Sequence, residues 1–410
     1  MPFSLIFYNY SLKTSRIIIT KIMLRGVNMA RKTLALVLVF TMAVTFFCGS
    51  LGACASPEIK AKSAILIEPT TGMVIIEHNA DEKLPEASVT KVMTILLVLE
   101  AIDEGKLTLE SKISCSEYAA SMGGSQIWLE PGEVMTVHEL LKAMIVASAN
   151  DAAVALGEAV SGSNDAFVAL MNERAAQLKM TGTVYKNCTG LHEEGHYTTA
   201  RDIAIVTAEV LKHELVFEYT GIWMDYLRNG TTELVNTNKL LRRYVGITGM
   251  KTGTTSEAGK CLSATAQRDG LSLVAVVLGS ETSDDRFNTA KALLDYGFAN
   301  YEIITPATPQ DTLTPIGVSG GMAKDVEVYC EGFDEIIVPK GKSGEIKVET
   351  ELSEELTAPV EKGQTVGKIK LILDGEELAS CPVKTVNSVN KITVSGVFKK
   401  IFQALLNLQG

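Results

Sequence analysis

Residue patterns that would indicate a metal site or a nucleic-acid partner are scarce in this chain of 410 residues. It has only five histidines and no Cys-x-x-Cys spacing. The one pair with ligand-like spacing, His192 and His196, lies in a Gly-containing loop and not on a predicted helix, so it does not favour a metal site. The formal net charge of −10 argues against nucleic acid as the main partner, because phosphate backbones attract basic surfaces.

Cysteine is too unevenly spaced for a disulfide-rich scaffold. Of the seven cysteines, two lie in the apolar N-terminal segment, and the other five are Cys115, Cys188, Cys261, Cys330 and Cys381. Because five is an odd number, they cannot all pair within one chain. Cys330 and Cys381 could pair within a C-terminal domain, and the sequence leaves that pairing open.

Residues 29–55 have the pattern of a secretory signal peptide. Arg31 and Lys32 form its charged start, residues 33–47 its apolar region, and the small residues at 53–55 its cleavage site. A membrane anchor is the alternative, but the apolar run is shorter than the roughly 18 to 20 residues that span a bilayer. We therefore expect an exported protein.

Two details of N-terminal processing stay open. Cleavage after Ala55 is one route, but residues 51–54 also resemble a lipoprotein processing box, which would place a lipid on Cys54. Residues 1–28 are interpreted as an upstream extension, with Met29 as the true start. The full chain is 46% hydrophobic and 21% charged, which is an ordinary globular composition once the apolar N-terminus is discounted, and its length leaves room for two or three domains.

The segment 84–102 carries the clearest chemical pattern. A proline and a small residue precede Ser88, and a long apolar run follows, which predicts a buried helix with Ser88 in its first turn. Lys91 would lie on the same face, and apolar neighbours would lower the pKa of its ammonium group, so that it could take the serine proton. The alternative is a solvated lysine after an ordinary serine, and Ser388 with Lys391 provides such an accidental match.

Two later segments strengthen the catalytic interpretation. Ser148-Ala149-Asn150 follows an apolar helical run, and Lys251-Thr252-Gly253-Thr254 precedes a strand pattern. Ser-x-x-Lys, Ser-x-Asn and Lys-Thr-Gly in this order form the motif set of penicillin-recognising serine enzymes. A helix N-cap is the local alternative for Ser148.

With these motifs, the chain resembles low-molecular-mass penicillin-binding proteins of the D-alanyl-D-alanine carboxypeptidase type. The resemblance covers roughly residues 58–400. It includes five further segments: Asn79-Ala80-Asp81, Leu84-Pro85, residues 186–191, residues 196–202 and Gly249-Met250.

The resemblance implies acyl transfer at the terminal D-Ala-D-Ala bond of a peptidoglycan pentapeptide, through an acyl-enzyme on Ser88. Lys91 would be the first-choice base, and Ser148 would relay the proton to the leaving amine. The implied substrate-binding residues are Asn150, Lys251, Thr252, Gly253 and Thr254. No metal or cofactor is implied, and β-lactams are expected to inhibit the enzyme.

Two further roles follow from the resemblance. The backbone N–H groups of Ser88 and Thr254 would form the oxyanion hole, and Lys251 with the hydroxyls of the threonine pair would hold the substrate carboxylate. Arg286 either assists there or is a salt-bridged surface arginine.

Three other functions stay open. A class A β-lactamase would need a Glu-x-x-Leu-Asn loop, and Glu193 and Glu194 lack that context. A D,D-endopeptidase on the same scaffold is the second alternative. The third is a non-catalytic wall-binding protein, which the intact motifs argue against.

The expected fold class is α+β. Early strands (61–68 and 73–77), a helical middle and a late hairpin (260–267 and 271–279) predict an antiparallel sheet flanked by helices. This catalytic domain is assigned to residues 56–304.

A small all-β domain is predicted at 305–390, because short strand patterns recur there between Gly- and Asp-containing turns. Residues 391–410 are predicted to form an amphipathic helix that lies on a membrane surface, since apolar residues recur at helical spacing over too few residues to span a bilayer. A terminal helix docked on its own protein is the alternative. These apolar residues are Val394, Val397, Phe398, Ile401, Phe402, Leu405 and Leu408.

Overall fold

The computed structural model describes residues 56–310 and 313–407, so the predicted signal peptide and upstream extension lie outside the described residues. Its α-helices are α1 (Lys91–Asp103), α2 (Glu117–Ala120), α3 (Val137–Val146), α4 (Asn150–Ser161), α5 (Asn164–Gln177), α6 (Ala200–Val210), α7 (Phe217–Thr220), α8 (Ser283–Asn300) and α9 (Val394–Asn407). Short 3-10 helices lie at Ala87–Thr90, Glu214–Val216, Arg228–Gly230, Lys239–Arg242 and Ser343–Glu345.

The strands before residue 300 are β1 (Ser63–Ile67), β2 (Val74–His78), β3 (Lys112–Ser114), β4 (Val134–Thr136), β5 (Met224–Leu227), β6 (Thr232–Val235), β7 (Ile247–Thr255), β8 (Gly259–Arg268) and β9 (Leu271–Ser280). The later strands are β10 (Tyr301–Ile304), β11 (Ile316–Ser319), β12 (Asp325–Val326), β13 (Val328–Cys330), β14 (Ile336–Pro339), β15 (Lys347–Leu352), β16 (Glu355–Thr357), β17 (Thr365–Leu373) and β18 (Glu376–Thr385).

Five antiparallel strands in the order β2-β1-β9-β8-β7 form the main sheet. The predicted hairpin between β8 and β9 is present, and it turns at Asp269 and Gly270, both with positive φ. Two consecutive positive φ values suit a tight hairpin turn, which is why an Asp-Gly pair is a good hairpin signal.

The central strand β9 is buried on both faces. Its side chains point alternately into two separate apolar cores. Val274 and Val276 pack into the larger core with helices α1 and α3 to α6. Leu273 and Val277 pack with helix α8 on the opposite face. Because successive side chains of a strand point to opposite faces, one apolar strand supplies both layers. The prediction of an α+β sheet flanked by helices is confirmed.

The start of the Ser88 helix differs from the prediction. Residues Ala87–Thr90 form a 3-10 turn, and the α-helix begins only at Lys91. Ala87 has φ +51, a left-handed conformation that an α-helix excludes, so Ser88 lies in a sharp turn before α1.

The C-terminal region is built from short strands, as predicted. A four-stranded sheet (β13-β18-β17-β15) and a three-stranded sheet (β12-β11-β16) enclose small apolar clusters. Strand β10, which follows α8 directly, pairs with β14 of this region. Cys330 and Cys381 form a disulfide, which answers the question that the sequence left open. The expected helix at the C-terminus is present as α9, and Leu408 lies outside the described residues.

Candidate active site

The three sequence motifs meet at the junction of the nucleophile turn (residues 86–90), the start of α4 and the edge strand β7. Lys91 Nζ lies 3.2 Å from Ser88 Oγ, as the one-turn spacing predicted. The same nitrogen donates to Asn150 Oδ1 at 2.5 Å and to the backbone oxygen of Thr189 at 2.7 Å. Lys91 is therefore held by three oxygen atoms, one of which belongs to the predicted nucleophile.

Lys91 is completely buried, and burial is the main influence on its pKa. Removing an ammonium group from water disfavours its charged form, which lowers the pKa of Lys91 to about 7. Cys188 and Asp151 oppose part of this shift. A substantial neutral fraction at neutral pH is the condition under which this amine can accept a proton from Ser88.

Ser148 and Lys251 form a second hydroxyl–amine pair in the site. Lys251 Nζ donates to Ser148 Oγ at 2.9 Å and to the backbone oxygen of Thr252 at 2.9 Å. Ser148 has φ +64, a left-handed conformation, and it lies before the start of α4 at Asn150. The N-cap alternative is wrong, because Ala149 occupies the N-cap position of α4 and no side chain caps it.

Lys251 lies in a buried cluster of positive groups. Burial lowers its pKa well below the ordinary lysine value, and the positive charges of Lys91 and Arg286 lower it further. The positive charges of three nearby side chains repel one another, and an anion placed among them would relieve that repulsion. The arrangement suits the binding of a carboxylate.

Asn150 is anchored at both ends of its carboxamide. Its Oδ1 accepts from Lys91 Nζ, and its Nδ2 donates to the backbone oxygen of Gly123 at 2.7 Å. Its backbone N–H donates to the oxygen of Ser125 at 2.7 Å. The amide thus joins the lysine of the first motif to the loop that precedes β4.

Strand β7 forms the outer edge of the main sheet as far as the described residues show. Gly253 lies in the middle of this strand against the nucleophile turn. A Cβ atom at that position would lie 2.6 Å from the backbone oxygen of Glu86 and 3.0 Å from the backbone nitrogen of Ser88. Glycine is therefore needed for the edge strand to pass this close to Ser88.

The two threonines of the last motif have different surroundings. Thr252 is buried, and its hydroxyl lies 2.6 Å from the hydroxyl of Thr237. Thr254 is exposed, and its hydroxyl donates to the oxygen of Gly253 at 2.7 Å.

Arg286 is buried, and within the described ranges it makes no salt bridge, so the surface alternative is wrong. It donates to the backbone oxygens of Gly253 at 3.0 Å and Cys261 at 3.1 Å. Burial lowers the pKa of Arg286 to about 10. The guanidinium therefore supports β7 from the α8 side and adds positive charge near Lys251.

Sequence reasoning missed several residues that shape the site. The backbone oxygen of Thr189 binds Lys91, and Gly190 packs so tightly on the nucleophile turn that an added Cβ would lie 1.9 Å from the oxygen of Ala87. Glu86, the first residue of that turn, forms a buried pair with His196. The resemblance included the segments with Thr189 and His196 but assigned no role to them. The sequence signal that could have pointed to Glu86 is its position, because it is a charged residue between Pro85 and the nucleophile Ser88.

Comparison with known proteins agrees with this site. Residues 52–282 match the family described as D-alanyl-D-alanine carboxypeptidase, peptidase S11. Residues 301–391 match the C-terminal domain of penicillin-binding protein 5. The first match covers more than half of the chain and contains all three motifs.

Similar proteins include the D-alanyl-D-alanine carboxypeptidase DacF of Bacillus subtilis, 44% identical over 81% of this chain and 86% of that protein. Penicillin-binding protein 5 of Haemophilus influenzae has a similar structure, with a TM-score of 0.73 and 31% identity over 82% of this chain and 99% of that one. Penicillin-binding protein D2 of Listeria monocytogenes in its ampicillin-bound form is 32% identical, with a TM-score of 0.54 over 58% of this chain and 98% of that one. The chain therefore belongs to the D-alanyl-D-alanine carboxypeptidase family, peptidase S11, a family of serine hydrolases.

Proposed function

We propose that this protein is a serine-type D-Ala-D-Ala carboxypeptidase that removes the terminal D-alanine from peptidoglycan stem peptides and is inhibited by β-lactams. The observation that carries the proposal is the buried Lys91 amine, with a pKa of about 7, at 3.2 Å from Ser88 Oγ. The family match and the names of its similar proteins support the same activity.

In the acylation step, Ser88 Oγ forms a bond to the carbonyl carbon of the penultimate D-alanine, and its proton passes to neutral Lys91. The oxyanion that results is stabilised by the backbone N–H groups of Ser88 and Thr254, and one such donor is typically worth about 2.7–4 kcal/mol. The C–N bond then breaks. The leaving D-alanine amine takes a proton from the Ser148 hydroxyl, which Lys251 holds at 2.9 Å. The Lys91 ammonium gives the proton it took from Ser88 back to Ser148, so that Lys91 is neutral again before deacylation.

In the deacylation step, water attacks the acyl carbon and the bond to Ser88 Oγ breaks. Neutral Lys91, whose nitrogen lies 3.2 Å from Ser88 Oγ, takes a proton from that water and gives a proton to Ser88 Oγ as the ester bond breaks. The products are free D-alanine, the shortened stem peptide and the regenerated serine.

The substrate is proposed to bind along the outer edge of β7 as an added strand. Its terminal carboxylate would lie near Lys251, with Thr252 and Thr254 on the same strand and Arg286 behind it. Asn150 holds Lys91, and its carbonyl oxygen keeps a second lone pair for a substrate amide.

Rapid β-lactam hydrolysis is less well supported. Glu193 and Glu194 are both exposed, and Glu193 accepts a hydrogen bond from Asn187 at 3.1 Å, so neither is buried beside the acyl position. We therefore expect a penicillin adduct that persists.

The proposed location is the outer face of the membrane or the cell wall, reached through the signal at 29–55. In the described residues, no helix is both long and apolar enough to cross a membrane. Helix α9 supports attachment to the membrane surface, because Phe398 is 75% exposed and Phe402 59% exposed. We assign catalysis to 56–304, a spacer to 305–390 and membrane contact to 391–410.

The test is intact mass spectrometry of the purified mature chain during incubation with penicillin, beside the Ser88→Ala variant. We expect one adduct per chain that persists for minutes and is absent from the variant. An adduct that clears quickly while penicillin is consumed would indicate a β-lactamase instead. Absence of any adduct on the wild type would refute the catalytic proposal, and release of D-alanine from a pentapeptide measures the carboxypeptidase reaction directly.

A further inference from the structure

A buried polar cluster joins the two ends of the nucleophile turn to the loop 186–196 and has no part in the steps above. It consists of Glu86, Thr90 and His196, all buried. His196 Nε2 lies 2.9 Å from Glu86 Oε1 and 3.0 Å from Thr90 Oγ1, and Thr90 Oγ1 lies 3.0 Å from Glu86 Oε1. Because burying a carboxylate is unfavourable without partners, three converging polar groups at this place require a physical reason.

The hydrogen bonds of the His196 ring assign its tautomer. The backbone N–H of Lys186 donates to Nδ1 at 3.1 Å, so Nδ1 carries the lone pair and the ring proton lies on Nε2. That Nε2–H faces Glu86 Oε1. One ring therefore joins the start of the loop 186–196 to the nucleophile turn.

The nucleophile turn needs to be held, because Ala87 has φ +51. A residue with a Cβ atom keeps such a conformation only where its surroundings impose it. Thr90 Oγ1 lies 2.8 Å from the Ala87 oxygen and so reaches both that carbonyl and the Glu86 carboxylate. The cluster thus brackets Ser88, whose backbone N–H and Oγ take their direction from this turn.

The same cluster is linked to Lys91. His196 closes the loop 186–196, and the Thr189 oxygen of that loop binds Lys91 Nζ at 2.7 Å. Gly190 of the loop packs against the Ala87 carbonyl, where an added Cβ would lie 1.9 Å from the oxygen. Displacement of the loop would therefore disturb the serine and its base together.

The cluster is poorly arranged for stability alone. Glu86 Oε2 and the Tyr185 hydroxyl are buried without a hydrogen-bond partner among the described residues, although the Tyr185 ring packs edge-on against His196 at 5.9 Å. Unpaired buried polar atoms oppose folding.

We propose that Glu86, Thr90 and His196 are positioning residues that hold the nucleophile turn and the Lys91 loop in the geometry required for acylation. This inference rests on the proposed function, because it concerns the reactivity of Ser88. None of the three residues contacts the substrate in this scheme; they act through Ser88 and Lys91.

Two substitutions of His196 separate its two hydrogen bonds. Asparagine can place an acceptor near the Nδ1 position but no donor at Nε2, whereas glutamine can place a donor near Nε2 but no acceptor at Nδ1. With a fluorescent penicillin, we expect His196→Asn to lower the acylation rate constant about 10- to 100-fold and His196→Gln to lower it far less, since the bond to a charged group carries the effect. The dissociation constant of the non-covalent complex should stay unchanged in both variants.

Equal acylation rates in the two variants would overturn the inference, as would losses that simply follow their melting temperatures. If His196→Asn does not fold, the variants Thr90→Val and Thr90→Ser test the inference instead. Serine keeps the hydroxyl group of Thr90, and valine removes it. We expect Thr90→Val to be acylated at least about tenfold more slowly than Thr90→Ser. Equal rates for that pair would also overturn the inference. A wild type that penicillin does not acylate would refute the proposed function itself, which distinguishes the two failures.

Discussion

The regions before and after residue 300 bury different kinds of side chain. The first buries charged groups around its site, including Glu86, Lys91, Lys251 and Arg286. In the second, Thr385 is the one polar side chain that is equally buried, as far as the chain is described. The second region is stabilised by small apolar clusters and the Cys330–Cys381 disulfide.

The buried charged groups lower the folding stability of the region before residue 300. Buried lysines with lowered pKa values cost folding free energy, because the unfolded chain binds protons that the folded chain does not. The second region, which we propose to be a spacer, has no such requirement and is built from strands around small apolar clusters. The contrast predicts opposite outcomes for substitutions in the two regions.

The largest expected effect is at Lys91. Lys91→Met removes the base but keeps a long apolar stem in a buried place, so we expect acylation by penicillin to fall about 10³-fold while the fold is kept or stabilised. Lys391→Met is the matched control, because Ser388 and Lys391 repeat the Ser-x-x-Lys spacing at an exposed place. Stopped-flow acylation and thermal unfolding measure both variants. Equal losses in the two variants would contradict the assignment of Lys91.

Removal of the Cys330–Cys381 disulfide tests the region after residue 300. Replacing Cys330 and Cys381 by alanine should destabilise the C-terminal region by about 2–4 kcal/mol, because the cross-link spans 51 residues and restricts the unfolded chain. Denaturant unfolding should show this loss, whereas the acylation rate of Ser88 should not change. A parallel loss of acylation would mean that the C-terminal strands support the site.

Helix α9 provides the third test. Phe398→Glu together with Phe402→Glu should weaken binding to anionic lipid vesicles more than about tenfold, since each buried aromatic side chain contributes about 1.5–3 kcal/mol. Co-sedimentation measures binding, and Ser395→Glu is a control that adds charge without removing an apolar side chain. If the two phenylalanines instead dock on another part of the protein, the double variant will lose thermal stability and vesicle binding will not change.

The smallest effect is the pH dependence of acylation. A base with a pKa of about 7 is roughly one-tenth neutral at pH 6 and nine-tenths neutral at pH 8, so the rate constant should rise about tenfold over that interval. A rate that is independent of pH between 6 and 8 would argue against neutral Lys91 as the base.

The same pKa difference has a consequence for stability. The pKa of Lys91 is about 7 in the folded protein against the ordinary value of 10.5, so between these values the unfolded state binds more protons. The unfolding free energy of the wild type should therefore rise with pH relative to Lys91→Met, by at most about 1.4 kcal/mol per pH unit. Unfolding curves at pH 7 and pH 9 measure the difference.

Much of the fold was predictable because it depends on local patterns. The hairpin of β8 and β9 was predicted from two apolar runs joined by Asp269 and Gly270. The nucleophile turn was not predicted, since the positive φ of Ala87 is imposed by contacts with residues about a hundred positions away.

The sequence by itself determined the three motifs, their order and the α+β class, because residue type and short-range periodicity carry that information. Only the tertiary structure decided which groups come into contact. The backbone oxygen of Thr189 accepts from Lys91, Gly190 packs against the nucleophile turn, and the His196 ring lies beside Glu86. It also decided that Arg286 is a buried support of β7 and not a surface residue. Burial and long-range hydrogen bonds set the pKa of Lys91 and the direction of Ser88, and neither follows from the local sequence.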